Sequence, residues 1–126
     1  MELSIPELQA VLSDFAEERD WKRFHTPKNL AMALAGEIGE LVSIFQWLTS
    51  EESAGIMRSP RRAELVESEI ADVFSYLLQL AGSLDIDLEV VLAAKIEKNR
   101  ERYPIKLSYG HAGKYTELVD VEDDFP

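Results

Sequence analysis

The chain has 126 residues, 46% of them hydrophobic, which suits one domain around one core and is too apolar for a disordered segment. It has no cysteine, which excludes disulfides, thiolate metal sites and cysteine nucleophiles. A formal net charge of -11 argues against nucleic-acid polymers and anionic membranes as partners.

No apolar run approaches the roughly 20 residues of a bilayer span, and no signal peptide is visible, so a cytoplasmic setting is expected. The first predicted helix starts at Ser4 as N-cap, with Glu7 completing a capping box and Pro6 in the first turn. Leu8, Val11, Leu12 and Phe15 follow helical spacing, and the helix fades near Asp20. Thr26 and Pro27 open a second helix that reaches Trp47 or Leu48. Gly36 and Gly39 inside it each cost about 1 kcal/mol against alanine, which points to close packing or ligand approach there.

Residues 49–59 read as a polar loop. Ser59 and Pro60 open a third helix ending near Ala81, with Gly82 as C-cap. Asp87 caps a fourth, which stops around Tyr103 because Pro104 follows. Residues 108–114 are loop-like, and Glu117, Asp120, Glu122, Asp123 and Asp124 form a solvated acidic end. The expected organisation is a helical catalytic domain over 1–107 and a C-terminal segment with an acidic tail over 108–126.

Placing charges on these helices at about 100° per residue exposes an anomaly. Leu30, Leu34, Leu41, Ile44 and Leu48 define an apolar stripe on the second helix; Glu37 lies at its centre and Glu40 at its edge. Leu65, Val66, Val73 and Leu80 do the same on the third, with Glu69 central and Asp72 at the edge. A single pair of acids three apart is usually a solvated helix face. Two pairs, both turned inward on adjacent long helices, repel one another unless a cation sits between them. All donors are carboxylates, with no histidine or cysteine in register, which favours magnesium over zinc or iron, with manganese as a substitute.

Leu88, Val91 and Leu92 set the stripe of the fourth helix, and Lys95, Asn99 and Arg102 fall on the same side. Such cations often snorkel at the rim of a core. Facing a magnesium site they suit phosphate oxygens, arginine through a fork and lysine as a point charge. Trp47 near the carboxylate stripe and Tyr76, four residues after Asp72, are ordinary core candidates that would also offer a base a stacking surface.

The run from Phe15 through Trp21, Phe24, His25, Pro27, Lys28, Asn29 and Leu30 continues with Glu37-Ile-Gly-Glu40-Leu-Val and Phe45-Gln-Trp47. Glu69-Ile-Ala-Asp72 with Tyr76, then Lys95 with Asn99, Arg102, Tyr103 and Pro104, then Lys114-Tyr115-Thr-Glu-Leu118 complete the order. Together these resemble the MazG-like all-alpha nucleotide pyrophosphohydrolases, most closely the dCTP pyrophosphatase type. The resemblance implies an all-α, antiparallel four-helix bundle completed by oligomerisation as a homodimer or homotetramer. It implies magnesium on Glu37, Glu40, Glu69 and Asp72, and phosphates or sugar on Lys95, Asn99 and Arg102. It implies a base pocket shaped by Trp21, His25, Trp47 and Tyr76, with Lys28 and Asn29 at its entrance. Lys114 and Tyr115 would close over the phosphates from a neighbouring subunit. Leu12 departs from the animal enzymes, which tend to have histidine there, and leaves the base preference open.

The expected activity is magnesium-dependent hydrolysis of a nucleoside triphosphate, dCTP or a modified dCTP first, to the monophosphate and pyrophosphate. Magnesium would polarise the phosphorus and lower the pKa of a bound water, with Glu40, or else Glu37, as general base. Rival readings are a broad house-cleaning hydrolase of damaged triphosphates, phosphoribosyl-ATP hydrolysis, and a non-catalytic helical regulatory module with a structural metal.

Overall fold

The computed structural model describes residues 2–118, and Asp120, Glu122, Asp123 and Asp124 of the acidic end lie outside them. Every regular element among these residues is helical: α1 Ile5–Glu18, α2 Pro27–Phe45, α3 Ser50–Ala54, α4 Pro60–Ser83, α5 Leu88–Arg102 and α6 Ile105–Ser108. Short 3-10 turns at Lys22–Phe24, Ile56–Arg58 and Tyr115–Glu117 complete the set. Among the described residues no helix is long and apolar enough to cross a membrane.

The helix starts are chemical. Ser4, Thr26, Ser59 and Asp87 each accept a backbone N–H from the third residue onward, and Pro27 and Pro60 occupy first-turn positions where no N–H is needed. At Ser4 the expected capping box is altered. The hydroxyl accepts the Glu7 N–H and donates to the Glu7 carboxylate at 3.1 Å, so that carboxylate is spent on the hydroxyl and not on the cap backbone. The reciprocal box forms instead at Thr49 and Glu52, and it nucleates α3. Residues 49–59 are therefore a short helix and a turn where a polar loop is expected from the sequence. Ile56 in that turn is buried.

The ends of α1 and α4 are set by aspartates rather than glycine. Asp20 and Asp85 both sit at φ 54°. Beside each, paired backbone bonds close the last turn: Trp21 N–H to Ala16 C=O and Asp20 N–H to Glu17 C=O, then Ile86 N–H to Ala81 C=O and Asp85 N–H to Gly82 C=O. These are two Schellman closures, so α4 runs through Gly82, the expected cap, and stops after Ser83.

The chain divides between Ile86 and Asp87 into two compact units. In the first, α1 and α2 both pack on α4. Its buried apolar residues are Ala16 of α1, Leu30 of α2, Ile56, and Val66, Leu78 and Ala81 of α4. α2 and α4 run antiparallel: Glu37 meets Glu69 and Asp72, whereas Leu30, nearer the start of α2, lines a cleft with Leu78, nearer the end of α4. Val42, Ile70 and Phe74 remain exposed. In the second unit, the ring of Tyr115 meets Tyr103 edge-on at 6.0 Å and takes the Arg102 guanidinium over its face at 4.7 Å.

Candidate metal and nucleotide site

The antiparallel seam of α2 and α4 brings together three of the four predicted carboxylates. Glu37, Glu69 and Asp72 each offer an oxygen, and these oxygens lie within 4.8 Å of one another. Glu37 and Glu69, central on their wheels, are half-buried, while Glu40 and Asp72, at the edges, are exposed. Burial thus follows the helical phase read from the sequence. Glu40 stands outside the converging three, yet its charge still acts on Glu37.

Electrostatics mark this cluster as unsatisfied. Partial burial is the largest cause holding the Glu37 carboxyl above the ordinary glutamate range; a hydrogen bond shared with Glu69 follows, then the charges of Asp72, Glu69 and Glu40. Oε2 of Glu69 is enclosed and has no hydrogen-bond partner. An enclosed carboxylate oxygen in that state needs a proton or a cation. Three convergent carboxylates with an orphaned oxygen fit a hard divalent cation, whose ligands are oxygens, and do not fit a soft metal.

Around the seam, Tyr76 is half-buried one turn beyond Asp72 on α4. Trp47, just past α2, is 87% exposed. Trp21 links Phe15 and His25 through edge-on ring contacts at 5.8 and 6.4 Å, which fixes the crossing from α1 to α2. Asn29 lies in the first turn of α2. Its side-chain amide donates to the Phe24 carbonyl at 2.9 Å and so props the turn that carries His25. Lys28 beside it is exposed.

In the second unit, Lys95, Asn99 and Arg102 recur at i, i+4 and i+7 along α5 and share one face. Lys95 is exposed, and Asn99 and Arg102 are half-buried. Lys114 is the exposed residue before the last turn, and Tyr115 is held between Arg102 and Tyr103.

Sequence reasoning missed a cleft of about 470 Å³ in the first unit, whose polar lining includes Gln9, Ser13, His25, Gln79 and Ser83. Gln79 and Ser83 lie seven and eleven residues after Asp72, so they continue the carboxylate face of α4. That periodicity was a usable signal. So was Gln9, a polar residue three before Leu12 on the apolar side of α1.

Residues 33–118 match the model of the MazG-like family. Similar proteins are named for pyrophosphatase activity. The chain is 42% identical over 117 residues to dCTP pyrophosphatase 1 of Bos taurus and 41% identical over the same length to that of Homo sapiens. In each case 93% of this chain aligns with 69% of the relative. A pyrophosphatase from Archaeoglobus fulgidus of known crystal structure is 40% identical, with a TM-score of 0.74 over 82% of this chain and 95% of that one.

Proposed function

The chain belongs to the MazG-like family, and we propose that it hydrolyses dCTP to dCMP and pyrophosphate with magnesium held on the α2–α4 seam. One observation carries this reading: Glu37, Glu69 and Asp72 aim three oxygens at one point while Oε2 of Glu69 is enclosed without a partner. The names of the relatives supply the substrate.

Glu37, Glu69 and Asp72 would hold the ion from two helices, which fixes its place against the seam. When bound, magnesium supplies positive charge that neutralises the phosphates and draws electron density from the phosphorus. Glu40 is assigned as general base, because it lies one helical turn from Glu37 yet outside the converging three; Glu37 is the second choice. It would take a proton from the attacking water as the oxygen bonds to phosphorus. The phosphoanhydride bond breaks, and pyrophosphate and dCMP separate with no covalent intermediate. Attack at the α or the β phosphorus gives the same products.

Lys95, Asn99 and Arg102 are assigned to the phosphates or sugar on the strength of their shared face on α5. Trp21, His25, Trp47 and Tyr76 are assigned to the base, with Lys28 and Asn29 near the pocket entrance. Lys114 and Tyr115 would close over the phosphates from a second copy. A homodimer or homotetramer is proposed on the exposure of Val42, Ile70 and Phe74, apolar flanks that the first unit leaves bare.

The test is pyrophosphate release from a panel of nucleoside triphosphates, with and without magnesium. Release from dCTP that requires magnesium and is lost in Glu69→Ala is expected. Absence of release from every triphosphate, by a folded wild-type protein with magnesium, would overturn the reading.

A further inference from the structure

The cleft is lined in part by His25, which the proposed function assigns to the base. On α2, Leu30 precedes Glu37 by seven residues; on α4, Gln79 follows Asp72 by seven. Both steps are two helical turns along the same faces, about 10 Å at 1.5 Å per residue, and the antiparallel pairing runs them in one direction. The cleft and the carboxylates therefore share one seam.

Two amides in the cleft are anchored in the same sense. The Gln9 side chain donates its N–H to the Leu78 carbonyl at 2.9 Å, tying α1 to α4. Gln79 donates to the Ser75 carbonyl at 3.3 Å and to the Ser75 hydroxyl at 3.2 Å. Each nitrogen is committed to α4, so each amide is locked against flipping. The oxygens, Oε1 of Gln9 and of Gln79, accept no hydrogen bond from a described residue. Both side chains line the cleft and are half-buried. A site built from fixed acceptors favours a ligand edge that donates and repels one that accepts.

We infer that Gln9 and Gln79 are specificity-determining residues that read the amino group at position 4 of a pyrimidine base and disfavour the oxo group there. Cytosine presents a donor at that position, and uracil and thymine an acceptor. This rests on the dCTP reading above and adds to it the groups that would enforce the choice of base.

The experiment compares kcat/KM for dCTP and dUTP, which differ at that position, in wild type, Gln79→Met and Gln9→Met. Methionine keeps the length of the side chain and removes the acceptor. The wild type is expected to prefer dCTP, and each variant to lose about tenfold of that preference, the worth of one neutral hydrogen bond, through slower dCTP hydrolysis. An unchanged ratio in both folded variants overturns the inference. Should either variant fail to fold, the wild type is assayed with dCTP carrying two methyl groups on its amino nitrogen, which removes both donors. A loss of tenfold or more supports the inference, and equal rates overturn it. A wild type that hydrolyses no triphosphate refutes the dCTP reading itself, an outcome distinct from hydrolysis without discrimination.

Discussion

Glu37 on α2 and Glu69 on α4 face each other across the helix seam, with carboxylate oxygens within 4.8 Å of one another. Because the Glu37 carboxyl is held above the ordinary range, the folded state carries more protons than the unfolded chain in the pH interval between the two values. The contribution of Glu37 to the stability of the metal-free protein is therefore fully present below the ordinary glutamate pKa and is lost as pH rises through the folded value. Magnesium competes with that proton, so its gain in Tm should grow with pH over the same interval. Thermal unfolding with magnesium and with chelator across pH checks both trends, and Glu37→Gln should flatten the metal-free one.

Glu40 and Glu69 should separate chemistry from metal binding. Glu40→Gln is expected to lower turnover by about 10²-fold or more, as for loss of a general base, while retaining the magnesium-induced rise in Tm. Glu69→Ala should lose both. Steady-state rates alongside thermal shifts distinguish them, and a lost shift in Glu40→Gln would make that residue a ligand.

The left-handed conformation of Asp20 and Asp85 costs an L-residue free energy that glycine escapes. Asp20→Gly and Asp85→Gly should each stabilise by about 0.5–1 kcal/mol, whereas a valine at either position should destabilise. Urea denaturation reads the difference.

Gly36 and Gly39 have nothing within 4 Å of the place where a Cβ would sit. Alanine at either should stabilise α2 by about 1 kcal/mol. A loss of stability that depends on protein concentration would show instead that a second copy approaches those positions.

Trp47 is so exposed that it adds little to the fold. Trp47→Ala should leave stability within about 0.5 kcal/mol and raise KM for dCTP, measured by denaturation and by initial rates.

Much of this was legible because its causes are local. The caps at Ser4, Thr26, Ser59 and Asp87 depend on a side chain and an N–H three residues away, and all four are where the sequence puts them. The inward phase of Glu37 and Glu69 needed only helical periodicity. The five-residue α3 escaped because it is too short to show an apolar stripe, although Thr49 and Glu52 carried the cap signal. The end of α4 was misplaced at Gly82 because glycine is the usual left-handed residue, and Asp85 takes that role. The cleft escaped for a different reason. It exists only once α1, α2 and α4 are set against one another, and no single helix encodes that.

The enclosed oxygen of Glu69 carries an energetic consequence. In the metal-free protein a leucine there would replace a partly buried carboxylate with hydrocarbon and relieve its repulsion with Glu37, and it would withdraw one of the three convergent oxygens. On the proposed reading, that exchange would harden the empty protein and weaken its hold on the ion.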